Sequence, residues 1–476
     1  MNISQKKGSI STLFYVLWNS IHSMLDILIL AAGKGSRMKS DLPKVLHTIA
    51  GKPLVEHVIN AAHPLTGLPM NCLIGHGADK VQKALGEQHN YILQAQQLGT
   101  GHAVQQALPY FHEDAIVLIL YGDVPLIKTA TLERLIACAS TNSLGLLTVE
   151  LENPKGYGRI IRDAEQKVIS IVEQKDASEK QLLITEVNTG IMAVNSNHLK
   201  QWLPLLSNGN AQGEYYLTDI IAMAQQQGVN IETEQPDNEW EVLGVNDRRQ
   251  QAELERIFQR NLAEQLLIDG VTLMDSARFD CRGELTVGND VVIDINCIFK
   301  GQVVIADGVT IGANCIIENS TIGAGTIIKD NSILEDSTVN THCVIGPFAR
   351  LRPGTCLEDK AKIGNFVETK KAIIGKGSKI NHLSYVGDAV LGENVNIGAG
   401  TITCNYDGVN KHQTTIGDNV FVGSNTALVA PVILETGSTI GAGSIINKSV
   451  EKNTLALTRA PQKSHKDWQR PTKKQS

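Results

Sequence analysis

Residues 303–328 read VVIADGVTIGANCIIENSTIGAGTII. In this stretch Ile305, Ile311 and Ile317 stand six residues apart, the register slips by one, and Ile322 and Ile328 resume it. The same beat runs backward through Phe299, Ile293 and Val287. It runs forward through Ile345, Leu351, Leu357, Ile363, Leu391 and Ile397, and again from Ile416 through Val422, Leu428, Leu434 and Ile440 to Ile446. A period of six matches neither a helix, at roughly 3.6, nor a strand, at about 2. Each hexad reads instead as one flat side of a parallel β-helix, its branched residue turned inward and often followed by glycine. Breaks in the beat near residues 369–373 and 401–415 are expected to be loops projecting from the coil, where a solenoid can place chemistry.

Before the periodic text, residues 248–269 lack turn residues, and Leu254, Ile257, Phe258, Leu262 and Leu266 recur at helical spacing up to Gly270. This predicts one linker helix, a rigid connector between domains. Earlier still, over residues 24–247, short apolar runs alternate with longer amphipathic stretches, the pattern of a doubly wound, Rossmann-like α/β domain. ILILAAG, NCLIGHG, AIVLILYGD and LGLLTVEL read as buried strands, and PLVEHVINAA as a covering helix opened by Pro53. Residues 270–476 then form the hexapeptide-repeat domain with its C-terminal tail.

The whole chain of 476 residues has 42 glycines and only 4% aromatic residues, as suits a core of small branched side chains in layers. Its 43 Lys and Arg against 49 Asp and Glu leave a net charge of −6, which speaks against a general nucleic-acid binder. No stretch has the roughly 18 apolar residues of a membrane span, so no membrane partner is expected. Eight cysteines without C-x-x-C spacing read as reduced thiols of a cytoplasmic protein. Residues 1–23, interrupted by Asn19, Ser20 and His22, do not read as a secretory signal and are expected to be a disordered, non-essential extension or an upstream start.

Leu30-Ala31-Ala32-Gly33-Lys34-Gly35-Ser36-Arg37-Met38 follows a buried strand and fits neither a Walker loop nor a dinucleotide fingerprint. Its small residues would let backbone N–H groups reach a phosphate, with Lys34 and Arg37 supplying charge. An ordinary strand-to-helix turn with two solvated cations remains an equal reading. Asp123 ends an apolar run at the carboxyl edge of a strand, where α/β sheets hold ligands and divalent metals, yet a turn-forming Asp before Val124-Pro125 fits as well. In the coil, Arg350, Arg352, Lys370 and Lys371 cluster near His382, which places a possible proton acceptor beside a possible anion site.

LAAGKGSRM, LPKVLH, QLGTGHA, YGDVPL, GYGRI, VEQKDA, NTGI and GVNDR, in that order, resemble the sugar-nucleotide pyrophosphorylases. Followed by the hexapeptide coil, they resemble the bifunctional N-acetylglucosamine-1-phosphate uridyltransferase/glucosamine-1-phosphate acetyltransferase of bacteria over about residues 25–470. The resemblance implies a left-handed coil and two reactions. Glucosamine-1-phosphate is acetylated from acetyl-CoA in the second domain. UMP is then transferred from UTP to the product in the first, giving UDP-N-acetylglucosamine and pyrophosphate for peptidoglycan and lipopolysaccharide precursors.

It further implies that UTP sits over Leu30, Ala31, Ala32 and Gly33, with Gln94, Gly99 and Thr100 reading uracil and Tyr121 and Gly122 beside Asp123. Arg37 and Lys44 would stabilise the transition state, Asp123 and Asn246 would hold Mg²⁺, and Gly158, Glu173 and Asn188 would bind the sugar. In the coil it makes His382 the general base and Arg352, Lys370 and Tyr385 the phosphate binders. Asn396 and Asn405 would meet the sugar, and Ala399, Asn405, Tyr406, Ser424, Ala442 and Arg459 acetyl-CoA. Such coils form homotrimers. Two departures stand out: the extension before Met24, and Asp247 where the family often has a second Asn. Two rivals remain at this point, a single-activity nucleotidylyltransferase with a structural coil and a trimeric scaffold or nucleotide sensor without turnover.

Overall fold

A computed structural model describes residues 24–473 of the chain; the expected extension over 1–23 lies outside the described residues. Two compact units are present, one reaching Phe258 and the other running from Gln259 onward, so the border falls within the helix Arg248–Ile268.

The first unit is built on a mixed sheet. Its strands lie in the order Asn230–Glu234, Ser143–Glu150, Glu186–Asn195, Ile116–Tyr121, Leu25–Ala31, Asn71–Ile74 and Asn90–Leu93, with a further hairpin, Arg159–Arg162 and Val168–Val172, at Glu186–Asn195. All neighbours along this order are parallel except Glu186–Asn195, which is antiparallel to both of its flanking strands. The central runs are apolar without alternation because helices cover both faces. Ile27, Ile29, Cys72, Ile74, Leu118 and Leu120 pack on one side with Val55, Val58 and Ile59 of the helix Leu54–Ala62. Leu28, Leu73, Ile92, Val117 and Ile119 pack on the other with Ala103, Val104 and Ala107 of Thr100–Ala107. From Leu25–Ala31 the chain moves outward through Asn71–Ile74 to Asn90–Leu93, then returns to pair Ile116–Tyr121 on the opposite side. That reversal opens a crevice beyond the carboxyl ends of the two central strands.

The second unit is a coil of short parallel strands stacked in two long ladders. Ile293, Ile311, Ile328, Ile345, Ile363, Ile380, Ile397, Val422 and Ile440 lie over one another in register, all nearly or fully buried. Most successive coils advance by 18 residues, as from Ile345 to Ile363, or by 17, as from Ile363 to Ile380, while the step from Ile397 to Val422 takes in a longer segment. The one-residue slips in the sequence are therefore five-residue sides, such as Thr369 to Ile374, which still deliver their branched residue to the core.

This corrects one expectation. Residues 369–373 do not project; Glu368–Ile374 is a continuous strand paired with Tyr385–Leu391, and the shortened side turns at Lys371 with φ 45°. The second break does contain a loop, but a narrower one. Ile402–Cys404 and Thr414–Ile416 stay in the ladder, so the excursion covers 405–413, closed by a bridge between Tyr406 and Lys411.

Replacing one inward residue removes a full layer of packing. Ile380→Ala is expected to cost about 2–5 kcal/mol, against under about 0.5 kcal/mol for the exposed neighbour Lys379→Ala, read by chemical denaturation of the coil.

Candidate functional site

The crevice of the first unit is a cleft of about 370 Å³ lined by Leu30, Ala31, Ala32, Gly33, Lys44, Gln94, Gly99, Thr100, Tyr121, Asp123 and Asn246. The loop Leu30–Gly33 and Asp123 meet here because they leave adjacent parallel strands, where Gly122 N–H also donates to the Leu30 carbonyl (3.0 Å). Asn246 is brought in by Val245, whose N–H donates to the Asp123 carbonyl (2.9 Å). Lys44 donates to Asp123 and to Asn246 Oδ1 (3.1 Å), and exposed Arg37 reaches the same amide oxygen (3.0 Å). Two cations and two oxygen ligands thus converge on one point. Lys34 and Arg37 are both exposed and lie off this lining; Lys44 is the cation that lines the cleft, and Arg37 reaches its edge through Asn246.

At the far wall Gln94 is buried and donates to Gly99 O (3.3 Å), beside His102 Nδ1 (3.1 Å). Gly99 has φ 113°, and a Cβ there would meet the Tyr215 carbonyl oxygen at 2.5 Å, so this wall requires glycine. Gly158, Glu173 and Asn188 gather in a separate group. Asn188 N–H donates to Gly158 O (2.9 Å), and Glu173 accepts from the Thr218 hydroxyl (3.3 Å) while burial raises its pKa. Gly190, two residues past Asn188, abuts the Tyr121 ring, which ties this group to the cleft. Gln97 and Glu214 also line it: Gln97 opens the QLGTGHA motif but was given no role, and Glu214 lies in a loop without a distinctive pattern. Asp247 accepts from the N–H groups of Arg249 (2.9 Å) and Gln250 (3.0 Å), so it caps the following helix.

On the coil, the ladder places Asn365, His382, Ala399, Ser424 and Ala442 at one position of successive turns, each two residues after an inward Ile or Val. Backbone bonds run down this corner from Leu383, Gly400, Asn425 and Gly443 N–H to Asn365, His382, Ala399 and Ser424 O. Arg459 reaches the same edge, its guanidinium 3.4 Å from a Cβ placed on Gly441. On the adjoining face Lys370 pairs with Gly387 in the next turn, and the Arg352 N–H donates to Thr369 O. A Cβ on Gly387 would fall 2.3 Å from the Tyr385 hydroxyl, so glycine makes room for that hydroxyl beside the cations.

Like charges of Lys411 and Arg352 press the Lys370 pKa below its ordinary value, while Glu368 binds Arg352 (2.6 Å). Lys411 and Glu368 were not singled out from the sequence. Lys411 arrives through the 405–413 excursion, which Asp407 braces by accepting from Val409 N–H, Asn410 N–H and His412 Nε2 (2.8, 2.6 and 2.7 Å). Asn405 donates to Asp388 (2.5 Å), Tyr406 is exposed, and Asn396 points outward on its strand next to inward Ile397.

Residues 27–169 match the family model of the MobA-like NTP transferase domain, 281–366 that of the GMPPB C-terminal domain, and 413–448 that of the hexapeptide repeat of succinyl-transferase. Over 452 residues the chain is 60% identical to the bifunctional protein GlmU of Cellvibrio japonicus and 62% identical to that of Saccharophagus degradans. The GlmU of Marinobacter nauticus is 58% identical. Each alignment covers 95% of this chain and 100% of the relative.

Gly99→Ala is expected to lower nucleotide affinity at least tenfold, because its Cβ forces the Tyr215 backbone and the Gln94 wall apart. Titration calorimetry with UTP reads this directly.

Proposed function

The chain belongs to the family of bifunctional GlmU proteins, and from that premise we propose how its residues divide the two reactions. It acetylates glucosamine-1-phosphate from acetyl-CoA, and it transfers UMP from UTP to N-acetylglucosamine-1-phosphate, releasing pyrophosphate and UDP-N-acetylglucosamine for the cell wall. The identity spans both halves, so the single-activity reading and the inactive scaffold are set aside.

For uridylyl transfer, the cleft at the switch point takes UTP, with Gln94, Gly99 and Thr100 at the base and Leu30–Gly33 under the phosphates. Gly158, Glu173 and Asn188 hold the sugar. The sugar-phosphate oxygen attacks the α-phosphorus in line and pyrophosphate leaves. No side-chain nucleophile takes part, and rate comes from positioning and charge. Lys44 and Arg37 meet the developing negative charge. Asp123 and Asn246 offer two oxygens already aimed at one cation, the Lys44 ammonium. Such a set fits Mg²⁺, which is commonly held by one or two carboxylates with substrate phosphates and water. Bound there, Mg²⁺ would neutralise phosphate charge.

For acetyl transfer, the carrying observation is the corner column of His382, Ala399, Ser424 and Ala442 beside Arg352, Lys370 and Tyr385. The three donors bind the phosphate, Asn396 and Asn405 the sugar, and Ala399, Asn405, Tyr406, Ser424, Ala442 and Arg459 acetyl-CoA. His382 takes a proton as the 2-amino nitrogen attacks the thioester carbonyl. A backbone N–H near Ala399 meets the oxyanion, and the C–S bond breaks as the proton passes to the departing thiolate.

The same corner supports a homotrimer. Its left-handed positions hold Asn331, Gly400, Asn425 and Gly443, but also Phe348, Phe366 and Leu383, with φ 55°, 55° and 46°. Bulky residues there are strained, yet all three are exposed and the two phenylalanines stack at 5.3 Å. A second copy covering this ridge would account for both. All eight cysteines are free thiols, which supports a reducing, cytoplasmic setting.

With glucosamine-1-phosphate, acetyl-CoA, UTP and Mg²⁺, the protein is expected to release thiol and then pyrophosphate. His382→Ala should abolish thiol release while keeping pyrophosphate formation from supplied N-acetylglucosamine-1-phosphate, and Asp123→Ala should do the reverse; loss of both activities in either variant refutes the division. Phe366→Asp should yield monomers by light scattering coupled to gel filtration, with acetyl transfer reduced at least tenfold.

A further inference from the structure

We propose that Asn365 is a positioning residue that fixes the tautomer of His382. The inference rests on His382 acting as the base of acetyl transfer. Asn365 and His382 are ladder partners in successive turns, and each is followed by a left-handed corner residue, Phe366 and Leu383. Equal backbone geometry stacks the two side chains, and His382 Nδ1 lies 2.7 Å from Asn365 Oδ1. An amide oxygen only accepts, so Nδ1 carries the ring proton and the lone pair stays on Nε2. A ring with the opposite tautomer would present N–H to the amine and could not take its proton.

The next residue down the column is Ala399, whose methyl group leaves the other side of the ring open. His382 is thus held from one side only, with Nε2 left for the acceptor amine. A carboxylate at this position would also orient the ring, but it would raise the imidazole pKa and bind the proton after transfer. The neutral amide orients the base without that cost. Lys329 and Lys362 line the same cavity of about 400 Å³ as Asn365 and His382.

Two variants of the full chain test this, with chemical denaturation of the coil as the control for folding. Asn365→Ala should lower kcat of acetyl transfer by ten- to a hundredfold and leave both KM values within about threefold. Asn365→Asp should recover most of that rate and move the acidic limb of the kcat/KM profile to higher pH. In ¹⁵N spectra of the histidines, the wild-type His382 ring should be the Nδ1–H tautomer, and Asn365→Ala should shift it toward Nε2–H. Full acetyl transfer by Asn365→Ala, an unmoved pH profile in Asn365→Asp, or an Nε2–H ring in the wild type would each overturn the proposal. Acetyl transfer that survives in His382→Ala would instead remove the reading on which it rests.

Discussion

One inward branched side chain per hexad, stacked on its counterpart a turn away, sets the geometry of everything on the second unit. The strands of the coil are mostly two or three residues long, too short to fix a register by backbone bonds alone. Because each inward residue is nearly or fully buried, a slip by one position would expose an entire column of apolar side chains. The register is therefore strongly specified, and outward residues inherit it. Asn365, His382 and Ala399 lie 17 residues apart and still fall in one line.

The first unit reaches similar precision by another route. Its two central strands are parallel and adjacent, yet distant in sequence, and the loops leaving their carboxyl ends open side by side. Lys44, Asp123 and Asn246 come from three separate segments. Backbone and side-chain hydrogen bonds join them at one point, so their charges are arranged by the fold itself.

Much of this was legible in the residues themselves. The six-residue beat is a direct image of the coil because burial of one position per side leaves no freedom in its spacing. The loop after the first strand and Asp123 are ambiguous as sequence: a strand end followed by small or turn-forming residues serves a ligand and a plain turn equally well. What brings them into one cleft is the approach of Lys44 and Asn246, a relation between segments about 80 and 200 residues apart. The shortened side at 369–374 was misread as a loop, since a missing residue and an inserted loop disturb a period alike. Lys411 and Glu368 went unnoticed because only the folded excursion and the ladder bring them to Lys370 and Arg352.

The excursion over 405–413 leaves the ladder after Cys404 and rejoins it at Thr414, with the strands on both sides still in register. Its ends are pinned by the coil, so its interior is free of any duty to the core. Closing a longer loop between fixed ends costs little, about 0.6 kcal/mol for each doubling in length. The core therefore sets no limit on the length of this segment, and what holds its residues are their own contacts, Asn405 with Asp388, Asp407 with His412 and Lys411 beside Lys370. New chemistry could be grafted at the exposed tip around Val409 while the ladder that carries His382 stays as it is.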